Sequence, residues 1–129
     1  MRLAYYAHSQ STYGTKQEEL DIQQIRQAGF EVYNPDNPDD GPMFIKYGMA
    51  WFDMLLCVRE FDAVFFRALT QGPHANRITY GTNYEVNAAL ERGLPVFELI
   101  TNVAYRGLSK EGTGQIYSTL GRDDLAKLY

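Results

Sequence analysis

The feature that most constrains this chain is a regular alternation of short apolar segments with longer segments of helical period, each handover marked by a glycine, a proline or a capping residue. Residues 3–7 read as a first strand that runs into a polar turn, His8 to Gly14. A helix follows, opened by Thr15 with Glu18 three residues on, the capping-box spacing, and stopped by Gly29. Leu20, Ile22 and Ile25 give that helix a partly apolar face. Residues 30–33 form the second strand, and residues 34–42, with three prolines and three aspartates, a loop. Residues 43–60 have the length and apolar spacing of one long helix, carried by Met49, Phe52, Leu55 and Leu56. Residues 62–66 are an apolar run of the kind buried on both faces of a sheet. Gly81 and Thr82 open a further helix that ends at Gly93, and residues 95–100 form a fourth strand. Residues 123–128 are expected to make a short final helix. Alternation of this kind predicts a parallel sheet with helices on both faces, in a single domain spanning 1–129.

Composition narrows the function classes. A formal charge of −4 with twelve scattered basic residues argues against a nucleic-acid polymer as partner, because phosphate backbones select clustered Lys and Arg. The lone Cys57 excludes an intramolecular disulfide and a CxxC site, and His8 and His74 lack metal-ligand spacing, so no metal and no cofactor are expected. The start of the chain carries neither a long apolar run nor a cleavage-site pattern, and no stretch is long enough to span a membrane. A cytoplasmic protein is therefore expected. Ten tyrosines and seven phenylalanines suit a core, a subunit interface or a pocket for planar ligands.

In a parallel sheet, ligands sit at the carboxyl ends of the strands where the strand order reverses. That rule gathers the turn after the first strand, the loop after Tyr33 and residues 70–82. The most informative of these is Thr79-Tyr80-Gly81-Thr82-Asn83-Tyr84-Glu85. Glycine and small polar residues at a helix start leave backbone N–H groups open to an anion. Glu85, expected in the first helical turn, would be kept ionised there by the helix dipole. It reads either as a nucleophilic carboxylate or as the reciprocal half of a Thr82–Glu85 capping box. Gly81 is expected in a tight turn under both readings. Asp53, among apolar helical neighbours, is either a desolvated proton donor or a solvent-facing helical aspartate. Tyr5, Ser9 and Thr79 are placed to surround a ligand with hydroxyl groups.

Taken in order, Tyr5-Tyr6-Ala7-His8-Ser9, Asp53 ahead of Phe61-Asp62-Ala63-Val64, Gly81-Thr82-Asn83-Tyr84-Glu85 and Asn87 to Val96 resemble the nucleoside 2-deoxyribosyltransferase superfamily. That superfamily also contains the 2'-deoxynucleoside 5'-phosphate N-hydrolases. The resemblance covers most of residues 1–100. It implies that Glu85 is the nucleophilic glutamate, that Asp53 is its acidic partner, and that Tyr5 lines the sugar site. Ser9 and Thr79 would lie on the phosphate or 5'-hydroxyl side, with Gly81, Thr82 and Asn83 completing the substrate contacts. The fold expected is α/β, doubly wound, with a mainly parallel sheet of four or five strands flanked by helices, Rossmann-like with a flavodoxin-like strand order. The implied activity is cleavage of the N-glycosidic bond of a small-molecule nucleoside or nucleotide, with water or a second base as acceptor and no cofactor. A homo-oligomer is implied as well. Two departures stand out: Asn83 occupies a position where relatives carry a glycine or small residue, and the turn 9–14 has no arginine. They leave open a nucleotide-binding or sensing module on the same fold.

Overall fold

The computed structural model describes residues 2–70, 75 and 77–108. Within them the chain runs β1 (Arg2–Ala7), a 3-10 turn (Gln10–Thr12), α1 (Lys16–Gln27), β2 (Phe30–Tyr33), α2 (Asp40–Tyr47), α3 (Met49–Val58), β3 (Ala63–Phe66), α4 (Tyr80–Glu91), β4 (Val96–Leu99) and β5 (Tyr105–Leu108). These form one sheet of order β2-β1-β3-β4-β5. The first four strands are parallel, and β5 lies antiparallel on the edge with Leu99 opposite Tyr105. This is the expected doubly wound, Rossmann-like α/β architecture.

Side-chain alternation along β1 and β3 divides the core into two layers. Tyr5, Ala7, Val64 and Phe66 point to one face and pack on Phe52, Leu55 and Leu56 of α3 and Val86 and Ala89 of α4. Ala4, Tyr6, Ala63 and Phe65 point to the other, where Ile25 of α1 and Phe30 meet them. Because both faces are covered, the strands read as continuous apolar runs rather than alternating ones. Each fully buried large aliphatic or aromatic side chain contributes about 1.5–3 kcal/mol of hydrophobic stabilisation.

Two expectations are corrected. The long helix of residues 43–60 is two helices, because Gly48 adopts φ +65° and its N–H closes on Phe44 O at 2.7 Å. A left-handed residue cannot continue a right-handed helix, so α3 restarts in a new direction. Asp40 then ties the break to the sheet: its carboxylate accepts from Trp51 Nε1 at 2.9 Å, from Asn37 Nδ2 at 2.6 Å and from the Tyr33 hydroxyl. The inward face of α1 is mostly polar rather than apolar: Glu18, Asp21 and Gln24 are buried with Ile25, while Leu20 and Ile22 are only partly covered. Strand β5 brings the sheet to five strands, within the expected four or five, although no residues had been assigned to it; a turn held by Ile100 N donating to Ala104 O at 2.9 Å folds it back. The expected helix over 123–128 lies outside the described residues. Among the described residues no helix is long and apolar enough to cross a membrane.

Candidate functional site

Strand order reverses between β1 and β3: the chain leaves β1 for β2 on one side, and β3 and β4 lie on the other. The crevice outside the carboxyl ends of β1 and β3 is therefore the place to seek a site. Two groups of residues meet this edge, one on each face of the sheet.

On the α4 face, Tyr5 and Glu85 come together. Tyr5 is fully buried at the centre of an aromatic cluster, stacked on Tyr33 at 5.8 Å and edge-on to Phe61 at 5.4 Å. Its Oη and Glu85 Oε2 are both buried without a hydrogen bond of ordinary geometry. The two are still near enough to act on each other. Burial pushes Glu85 up to about 8 from an ordinary 4.5, and the Tyr5 hydroxyl partly offsets that rise. Burial, reinforced by the Glu85 carboxyl, raises the Tyr5 phenol well above its ordinary value. A carboxyl group nearly removed from water with an oxygen left unbonded is costly, and such groups concentrate where chemistry or binding uses them.

The position of Glu85 differs from the expected one. Helix α4 begins at Tyr80 with Thr79 as its N-cap residue, and no acidic residue stands in its first turn. Glu85 is one turn further in, so it neither closes a capping box with Thr82 nor sits at the positive end of the dipole. The capping reading falls, and burial reverses the expected preference for the ionised form. Thr79 and Thr82 bond each other through their hydroxyls at 3.1 Å, both buried. Gly81 is helical with no left-handed φ; a Cβ there would meet Met49 Sδ at 3.4 Å, so close packing on α3 is what favours glycine, not a tight turn. Asn83 lies on the part-exposed side and accepts from Asn87 Nδ2 at 3.1 Å.

Asp53 is engaged by an arginine of α4. Its carboxylate pairs with Arg92 Nη2 at 2.8 Å, and the side chain is 37% exposed. Arg92 is the C-cap residue of α4, and its guanidinium folds back to donate to Ala88 O at 3.0 Å. The same guanidinium contacts Cys57 Sγ at 2.7 Å. Ser9 is the N-cap residue of the 3-10 turn: its Oγ accepts from Ser11 N at 3.2 Å and bonds Ser11 Oγ at 2.8 Å.

On the α1 face lies a network that reading the sequence missed. Asp21, fully buried, accepts from Arg67 Nε at 2.7 Å, from Gln17 Nε2 at 2.8 Å and from the Tyr6 hydroxyl. Arg67 also donates to Gln24 Oε1 at 3.3 Å and to the carbonyls of Ile100 and Thr101 at 3.4 and 3.1 Å. Beside it His8 stacks flat on Tyr6 at 3.7 Å, with Nδ1 on Tyr6 O at 3.1 Å and Nε2 on Glu18 Oε2 at 2.8 Å. Burial works to raise the Glu18 carboxyl, but His8 and the Gly14 N–H outweigh it and hold it below the ordinary value. The Tyr6 phenol is raised by burial and by Asp21. One signal was available: Glu18, Asp21 and Ile25 share a helical face at i, i+3 and i+7, and Arg67 directly follows the buried strand.

A cavity of about 460 Å³ opens between this network and the start of α1, with Tyr6, His8, Thr15, Lys16, Arg67 and Thr70 in its wall. Tyr5 and Glu85, across the sheet, are not in that wall. No cluster of His, Cys, Asp and Glu side chains that could hold a metal ion occurs among the described residues. Comparison with protein-family models, with curated proteins and with solved structures returns no match to this chain.

Proposed function

We propose that this chain cleaves the N-glycosidic bond of a 2'-deoxynucleoside or its 5'-monophosphate, with Glu85 as the nucleophile. The observation that supports this reading above the others is the buried Glu85 carboxyl, unbonded at Oε2 and next to the Tyr5 hydroxyl at the reversal point of a parallel sheet. Scission sends the bonding pair of C1'–N to the base and leaves positive charge at C1'. An ionised Glu85 in a site of low dielectric stabilises that charge strongly and forms the C1'–O bond. Water then attacks C1' and releases the sugar, or a second base takes the deoxyribosyl group. The leaving base needs a proton. With Asp53 held by Arg92, an ordered water supplies it. The Tyr5 hydroxyl orients the carboxyl and touches the sugar.

Because Glu85 is protonated below about 8, its nucleophilic form grows with pH. A homo-oligomer in the cytoplasm belongs to the same proposal. The exposed apolar side chains of α2 and α3, Ile45 at 87%, Val58 at 68% and Tyr47 at 50%, support self-association.

A second reading, a nucleotide-binding or sensing module, is favoured by two features: the burial of Glu85, which pushes its carboxyl up and favours the protonated form, and an Asp53 paired with Arg92. Incubation with a panel of deoxynucleosides and their monophosphates, with and without a free second base, separates the readings. Base release or exchange that is lost in Glu85→Gln supports the enzyme, while tight binding of intact nucleotide without turnover supports the module.

A further inference from the structure

We infer that Asp40 is a positioning residue for the Glu85 site: its carboxylate clamps Tyr33 and Trp51, and through them the aromatic frame that fixes the Tyr5 hydroxyl beside Glu85. Its effect on turnover rests on the proposed glycosidic function; its effect on Glu85 does not. Asp40 is 2% exposed, and its three side-chain donors, Tyr33, Asn37 and Trp51, are all neutral. Burying a carboxylate among neutral donors is costly, which turns attention to what those donors hold in place.

Tyr33 is the register partner of Tyr5 across β1 and β2, and the two rings stack at 5.8 Å with 18° between their planes. Trp51 directly precedes Phe52, whose ring meets Tyr5 edge-on at 6.5 Å. Phe61 stands edge-on to both tyrosines, at 5.4 Å from Tyr5 and 5.6 Å from Tyr33. One carboxylate therefore ties down the ring stacked on Tyr5 and the helix that carries Phe52. Tyr5 depends on that frame, because its hydroxyl makes no hydrogen bond of ordinary geometry and packing alone sets where the oxygen sits. Burial and the Asp40 carboxylate push the Tyr33 phenol up to about 12, so this arm keeps its proton and donates. The guanidinium of Arg59, the C-cap residue of α3, lies over the same ring at 4.8 Å. Burial and the Tyr5 hydroxyl set the proton affinity of Glu85, so Asp40 acts on it through Tyr33 and Tyr5.

Tyr33→Phe and Asp40→Asn test this, because both keep the shape of the core and remove only a hydroxyl or a charge. In the full chain, the carboxyl carbon of Glu85 is titrated by NMR in parent and variants, and single-turnover base release is followed over the same pH range. Both variants should raise the Glu85 midpoint above about 8, the direction expected of Tyr5→Phe. The plateau rate should fall about tenfold with KM unchanged, since small misplacements of a reacting group are costly and Asp40 does not touch the sugar. Added to Tyr5→Phe, neither substitution should move the midpoint further, because no hydroxyl is left to position. An unmoved or lowered midpoint in either variant, or a full shift on top of Tyr5→Phe, would overturn the proposal. So would a rate loss carried by KM alone. A raised midpoint in a protein that releases no base would uphold the clamp and sink the glycosidic reading alone.

Discussion

Glu85 is where burial and chemistry are most directly opposed. Its folded-state value of about 8 lies above the ordinary 4.5, so the folded protein holds the proton more tightly than the unfolded chain. Stability therefore falls as pH rises from about 4.5 to about 8 and levels off above, at about 1.4 kcal/mol per unit through that window. Glutamine does not titrate. Glu85→Gln should gain stability relative to the parent across the window, by a few kcal/mol near pH 9, read from urea denaturation at several pH values. A difference that does not change with pH would mean that Glu85 is solvated. Tyr5→Phe isolates the other half of the pair. The hydroxyl lowers Glu85, so its removal should move the alkaline-rising limb of activity to higher pH. Stability should fall by no more than ~1 kcal/mol, because the contact of Tyr5 Oη with Glu85 lacks ordinary hydrogen-bond geometry.

At the scale of elements, α1 and α3 make contrasting ion pairs. Asp53 and Arg92 join α3 to α4 at a part-exposed seam, where such pairs contribute ~0–1 kcal/mol. Asp53→Asn should lower Tm slightly and leave base release at the parent rate, a result that a proton-donating Asp53 forbids. Asp21 and Arg67 are both buried, and breaking one partner strands the other. Asp21→Ala should cost about 3–5 kcal/mol in chemical denaturation. The elements themselves were largely legible. Phe30 to Tyr33 and the Thr15 cap are found where propensity and capping put them, since those signals are local. The break at Gly48 was not, because an isolated glycine in a helical pattern is usually tolerated and only the backbone reveals φ +65°. The inward polar face of α1 escaped for the opposite reason. A buried Asp21 makes sense only once Arg67, 46 residues away, is known to meet it.

For the molecule as a whole, strand order decides what can meet. The reversal between β1 and β3 brings Tyr5 and Glu85, 80 positions apart, to the same face and sends Tyr6 to the other. Glu85 was legible as a candidate because glycine and threonine precede it at a helix start, but its register was not: the helix begins one residue before Gly81, which carries Glu85 beyond the first turn. Asp53 was legible only as an acid among apolar neighbours, a pattern that does not say which way it points. Single-turnover base release from deoxynucleosides and their monophosphates, followed by chromatography from pH ~5 to ~10, tests Glu85 as nucleophile most directly. The rate should climb to a plateau with an apparent pKa of about 8 and vanish in Glu85→Gln. Turnover that survives in Glu85→Gln, with an unchanged pH profile, would contradict it.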